Sequence, residues 1–305
     1  MFKGWCTEQT SDDTCSGETI QPGGMLALHP GTTNLTPTVT RTLYAMWGSN
    51  IAKTYMQNMT SSDCTTTATT VYDNRDEEPY LVQRLADGKC WMLDNLRLDL
   101  GNSTVLSNTT ESNTNASTTT LNYLKNGGGS TSDRYPTAKI NNVPWTSSSQ
   151  NYYSIPMTIS TYKDQTTTSY GAGSGKIGVY YNYCAASAGN YCFGNGTSQG
   201  SPSGNATEDI CPKGWRMPTG YSGEYKALYT AYSSNPTTFK NALSTPLSGG
   251  FLSGSALSQG TNGLFWSSTY GNANDMYDLS VLSSVYPSNR NNRGYGYSVR
   301  CLLSS

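Results

Sequence analysis

Residues 265–301 read "FWSSTYGNANDMYDLSVLSSVYPSNRNNRGYGYSVRC". The two ends look structural, since "FWSS" carries two large rings fit for burial and "YSVRC" alternates into a cysteine-terminated strand. Between them, the 28 residues from Tyr270 to Tyr297 hold five Tyr, five Asn, four Ser, two Asp and three Gly, too polar a set to be read as core. Tyr gives a large rigid ring and a hydroxyl at low rotamer entropy, and Asn, Ser and Gly give adaptable hydrogen bonding, the alphabet of antibody loops. The expectation is a displayed segment whose contact residues are Tyr270, Asn272, Asn274, Asp275, Tyr277, Asp278, Tyr286, Ser288, Asn289, Asn291, Asn292, Tyr295 and Tyr297. The plainer alternative is a glycine-loosened polar loop with no ligand.

Bulk composition narrows the partners. With 305 residues the chain is long enough for two domains. Only 13% of residues are charged and the net charge is -1, so no field draws in nucleic acid or an anionic membrane. Tyr (23) and Trp (six) supply much of the apolar area in a chain otherwise dominated by Thr, Ser, Asn and Gly. Eight cysteines stand beside a single histidine, His29, with no C-x-x-C pair, which favours disulfides over zinc and hence an extracellular or cell-envelope location. Neither a basic, apolar leader nor a run of about 20 apolar residues is present. The expectation is a portion of a longer surface protein, with its signal peptide and any membrane anchor lying outside this sequence.

Residues 1–48 read as one unit. "MFKGWC" opens it and "TRTLYAMW" closes it, with Val39, Arg41, Leu43, Ala45 and Trp47 alternating against their neighbours as in a strand. Residues 49–305 form the larger domain. "PYLVQRLADGKCWMLDNLRLDL" (Pro79 to Leu100) gives two strands joined at Asp87-Gly88. Residues 101–120, "GNSTVLSNTTESNTNASTTT", are low in apolar residues and predict a mobile loop or insertion. Farther on, "SGEYKALYTAY" places Tyr225, Leu228, Tyr229 and Tyr232 on one helical face, and "PTTFKNAL" predicts a short helix with Pro236 in its first turn.

The pair F-x-G-W and L-Y-A-x-W in the first unit resembles the internalin-type B-repeat, a small β-grasp-like module of bacterial surface proteins. In the larger domain three phrases occur in order: "DGKCWMLDNLRL" (Asp87 to Leu98), "ICPKGWRMPTG" (Ile210 to Gly220) and "FWSST…YSVRC" (Phe265 to Cys301). Together they resemble the Fibrobacter succinogenes major paralogous domain over roughly residues 55 to 303. That resemblance implies an α+β, C-type-lectin-like fold with long loops, close to that of formylglycine-generating enzymes. Physically, Gly214 permits a tight turn, Trp91, Trp215 and Trp266 fill core pockets, and Arg300 satisfies backbone carbonyls or a carboxylate. Proximity and the resemblance together favour the pairs Cys6–Cys15, Cys64–Cys90, Cys184–Cys192 and Cys211–Cys301. Lectin-like domains of this kind also serve as the variable proteins of diversity-generating retroelements, in which mutated asparagine codons yield Tyr, Ser, Asp, Gly and Asn. The alphabet from Tyr270 to Tyr297 looks like that product.

The functional reading is a surface-displayed binder of a protein or glycan, not an enzyme. The lone His29 belongs to the first unit, so no nucleophile and base assemble. Cys184 and Cys192 bracket "AASAGNY" as a structural staple rather than a copper-binding pair, and Asp275 and Asp278 read as solvated. The ligand set of calcium-dependent sugar lectins is absent. Asp73, Asp76, Glu77 and Glu78 offer oxygens for a structural calcium ion, against which stands a solvated acidic turn. A structural stalk or adhesin segment is the competing reading.

Overall fold

The computed structural model describes residues 2–6, 19–20, 44–47, 53–125, 158–189, 203–252, 254–272 and 275–304. The chain divides into two compact units, Met1–Lys53 and Thr54–Ser305. In the first, β1 (Phe2–Cys6) lies between β2 (Thr19–Ile20) and β3 (Tyr44–Trp47), antiparallel to both. Strand β3 is the end of the alternating stretch anticipated there. Cys15, the expected partner of Cys6, and His29 fall outside the described residues.

The second unit is α+β, with small, mostly antiparallel sheets, among them the two-stranded pairs β7 (Thr158–Ile159) with β8 (Tyr180–Tyr181) and β10 (Gly250–Leu252) with β11 (Ser255–Leu257). Its central five-stranded sheet runs β4 (Thr69–Tyr72), β5 (Pro79–Arg84), β6 (Cys90–Met92), β15 (Leu302–Leu303) and β9 (Trp215–Arg216). The last strand of the chain therefore sits in the middle of this sheet. Side chains alternate across a strand, and here both faces are covered. Cys90 and Met92 enter one core with Trp215, Trp266 and Tyr297, while Trp91 and Leu302 enter a second with Tyr225, Leu228, Phe239 and Phe265. Burial on both faces is why "CWM" and "CLL" are continuous apolar runs instead of alternating ones.

Five helices are described: α1 (Ser103–Asn108), α2 (Thr118–Lys125), α3 (Tyr183–Ala186), α4 (Glu224–Ala231) and α5 (Pro236–Ala242). Tyr225 and Leu228 of α4 are fully buried and Tyr229 and Tyr232 pack against the same core, so the helical stripe holds. Pro236 occupies the first turn of α5, and the Asn235 side chain accepts from the Thr238 N–H at 3.0 Å. Among the described residues no helix is long and apolar enough to cross a membrane.

The residues of the three phrases play the roles their chemistry suggested. Each core indole has a partner: Trp91 Nε1 donates to Asp87, Trp215 Nε1 to the Met56 carbonyl and Trp266 Nε1 to the Tyr181 carbonyl. Gly214 adopts φ +83°, a turn conformation that a side chain would strain. Arg300 is fully buried and donates to Asn95 Oδ1 and to the carbonyls of Met92, Leu243 and Ser244. Two of the expected disulfides are present, Cys64–Cys90 and Cys211–Cys301. Cys184 is also disulfide-bonded; Cys192 lies outside the described residues.

Two expectations are corrected. Residues 101–120 are not a structureless loop: they carry α1, capped by the Asn102 side chain, and the start of α2, and they bury Thr109, Thr114 and Ala116. Their anchorage is through the backbone, with Asn115 N donating to Cys211 O and Asp209 N to Asn115 O, which a count of apolar residues does not register. Nor are the acidic residues at 73–78, apart from the exposed Glu77, a solvated turn. Asp73 and Arg75 are fully buried and fork together at 2.5–3.0 Å, while Glu78 bridges Arg97 and Lys163. Burial pushes the Asp76 carboxyl up to about 7. Among the described residues no group of three or more His, Cys, Asp or Glu is arranged to hold a metal ion.

Candidate functional site

The terminal segment is a sheet. β12 (Gly263–Tyr270), β13 (Asp275–Val281) and β14 (Val285–Asn292) form an antiparallel meander in that order, with register shifts between Trp266 and Tyr270 and between Asp278 and Ser280. β12 is buried along nearly its whole length, so the meander is fixed to the core by its first strand.

This arrangement divides the thirteen residues singled out from the sequence. Tyr270, Asp278, Asn292 and Tyr297 are buried and are withdrawn from the contact set. Tyr270 packs edge-on against Tyr183, and Tyr297 lies 4.5 Å from Trp266, centroid to centroid. Asn292 turns its Oδ1 to the Gly294 N–H. Asp278 is the reverse of solvated: it lies inside the sheet and accepts from Ser280 Oγ at 2.6 Å and from the Asn289 and Asn291 amides. Asn274 lies outside the described residues. Asn272, Asp275, Tyr277, Asn289, Asn291 and Tyr295 are half-buried, and Tyr286 and Ser288 are exposed.

On β14 the side chains of Tyr286, Ser288 and Arg290 point to solvent while Val285 and Pro287 point inward, a period of two. Arg290 pairs across the ladder with Tyr277 and carries its guanidinium 5.7 Å from the Tyr277 ring centroid. Tyr221, from the loop before α4, joins them with its ring 5.2 Å from that of Tyr277. It is the most exposed large hydrophobic side chain among the described residues, at 59% against 50% for Tyr286. Its backbone holds φ +54°, a left-handed conformation that an aromatic residue adopts at a cost of order 1–3 kcal/mol. Ser288 Oγ donates to the Tyr221 carbonyl and so pins this loop to the sheet. Gly220 allows the close approach, because a Cβ there would meet Ser267 Oγ at 2.4 Å and Tyr277 Cβ at 2.8 Å.

Sequence reasoning missed Tyr221 and Arg290. Arg290 lies within the segment but outside the Tyr, Asn and Ser alphabet used to search it. Tyr221 lies 49 positions upstream of Tyr270 by number; its only signal is an aromatic residue following a Pro-Thr-Gly turn.

Behind the exposed face, Asp278 sets the orientation of Asn289 and Asn291. Desolvation pushes its carboxyl up to about 6, although the three side-chain donors pull the other way. The folded protein therefore holds this proton more tightly than the unfolded chain, and the contribution of Asp278 to stability falls as pH rises from about 4 to about 6. Asp209, also pushed up to about 6, acts in the same direction. Comparing parent with Asp278→Asn isolates the one group. The variant is expected to gain about 1–3 kcal/mol relative to parent between pH 4.5 and pH 7.5, read from urea midpoints at the two pH values. An unchanged difference between the two proteins would clear Asp278 of the effect.

Comparison with known proteins found no matching family model, no similar curated protein and no similar solved structure.

Proposed function

We propose that the Thr54–Ser305 unit is a ligand-binding module displayed outside the cell, and that it grips a protein or glycan through Tyr221, Tyr277, Tyr286, Ser288 and Arg290. The observation that carries this reading is the exposed aromatic and cationic platform on a sheet whose first strand is buried in the core. Tyr and Arg dominate the energetics of binding surfaces, and rigid aromatic anchors lose little entropy on contact. A C-type-lectin-like fold is part of the proposal. Its support is the three ordered phrases, the Cys211–Cys301 bridge and the terminal strand set into the central sheet. The disulfides fit an oxidising compartment.

Diversification by a retroelement belongs to the same proposal. It requires that sister genes differ at Tyr277, Tyr286, Ser288, Asn289 and Asn291, while the fully buried Trp266, Leu279, Val299 and Cys301 stay fixed. The direct test is binding. The chain and its Tyr277→Ala/Tyr286→Ala variant are applied to a glycan array and to a panel of purified surface proteins. Any ligand held by the parent is expected to lose at least about tenfold in affinity, about 1.4 kcal/mol, while the melting temperature moves by no more than a few degrees. A ligand that binds both proteins equally well would defeat the assignment of this face.

A further inference from the structure

We infer that a second site, which takes no residue from the terminal meander and is independent of its function, binds a small tetrahedral oxyanion such as phosphate or sulfate. A cavity of about 110 Å³ opens at one end of the central sheet, where β5, β6, β15 and β9 stand side by side. Arg84 closes β5, Lys89 precedes β6, Arg216 closes β9, and Ser61, Gly88, Cys90, Leu303 and Ser304 complete the wall. Three cations thus line one cavity in a chain with 19 Lys and Arg and a net charge of -1, and among the described residues no carboxylate is in the lining.

The carboxylates that contact these elements are already engaged. Glu224 accepts from Lys89 Nζ, both terminal nitrogens of Arg216 and the Thr219 N–H. Asp87 accepts from the Lys89 N–H and the Trp91 indole. The cations, in contrast, keep donors. A guanidinium has five N–H groups; Arg84 spends three, on the carbonyls of Cys64, Gly88 and Ser61, and two remain. Arg216 likewise spends three, on Glu224 and Met217, and keeps two. Lys89 donates one of its three to Glu224 and keeps two. The bonds already made hold the guanidinium groups in place, so the anion meets donors that are preorganised, the condition under which charge-assisted bonds are strongest. Glu224 pairs with Lys89 and Arg216 and not with Arg84.

The test is calorimetric titration of the full chain with inorganic phosphate, and separately with sulfate, at pH 7.5 and an ionic strength held constant with sodium chloride. Saturable one-site binding of either anion is expected, the tighter of the two naming the source. Lys89→Gln, which removes an exposed side chain, should weaken it at least fivefold, and Ser61→Asp, which places a carboxylate in the wall, should abolish it. Lys226→Gln, a charge loss on the exposed side of α4, should leave it unchanged. A flat isotherm for both anions in the parent, equal binding by Lys89→Gln, or equal weakening by Lys226→Gln would overturn the site.

Discussion

Replacing Cys211 and Cys301 together by alanine is expected to cost about 4–5 kcal/mol of stability, against about 3–4 kcal/mol for the Cys64/Cys90 pair. The ranking follows from chain entropy. The first bridge spans 90 residues and the second 26, and the loop-closure entropy removed from the unfolded chain grows with the logarithm of that span. The position of Cys301 adds a structural reason. Its carbonyl accepts from the Met92 N–H, and the strand it leads into, β15, is inserted between β6 and β9. Without the bridge, the only covalent constraint on that central strand is the chain running back through the meander. Urea denaturation of the two double variants measures both numbers in one experiment. A Cys64/Cys90 variant less stable than the Cys211/Cys301 variant would contradict this ranking.

What the sequence disclosed and what it hid divide along a physical line. Trp91, Trp215, Trp266 and the stripe on α4 were legible because large apolar side chains have one favourable environment, the core, and Arg300 because, between Val299 and Cys301, its donors must find carbonyl partners. The meander was not. On β13 the inward positions include Asp278 and Ser280 beside Leu279 and Val281, and on β14 they include Pro287 and Asn292, so the alternation of apolar and polar residues that marks a strand is scrambled. Polar side chains can occupy those positions because they satisfy one another, Asn289 and Asn291 closing on Asp278. The same masking explains why buried Asp278 and exposed Ser288 looked alike in the sequence. Pro287 also suits an edge strand, where it removes a backbone donor that another chain would otherwise use for pairing. Tyr221 was illegible for a different reason, since the contact that makes it part of the face is tertiary, from Ser288 and Tyr277.

The second large effect is expected at Trp266, on which the face rests. Trp266→Ala should cost about 4–5 kcal/mol, more than most core truncations. The indole is fully buried, meets Tyr183 edge-on at 5.4 Å and Tyr297 at 4.5 Å, and pairs through the backbone with Asp278 on the next strand. Truncation leaves a cavity between two rings that cannot follow: the Tyr183 hydroxyl is held by the Ser268 carbonyl, and the Tyr297 backbone is bonded to Tyr181. Trp266→Phe separates packing from hydrogen bonding. It removes the donor to the Tyr181 carbonyl, but that oxygen also accepts the Tyr297 N–H and is not stranded, so about 1–2 kcal/mol is expected. If the platform owes its rigidity to this aromatic floor, Trp266→Phe should keep the fold and the exposed residues while increasing amide hydrogen exchange in β13. A phenylalanine variant with parent-like exchange there would mean that the face is held by its own ladder and by Ser288, with the floor contributing stability alone.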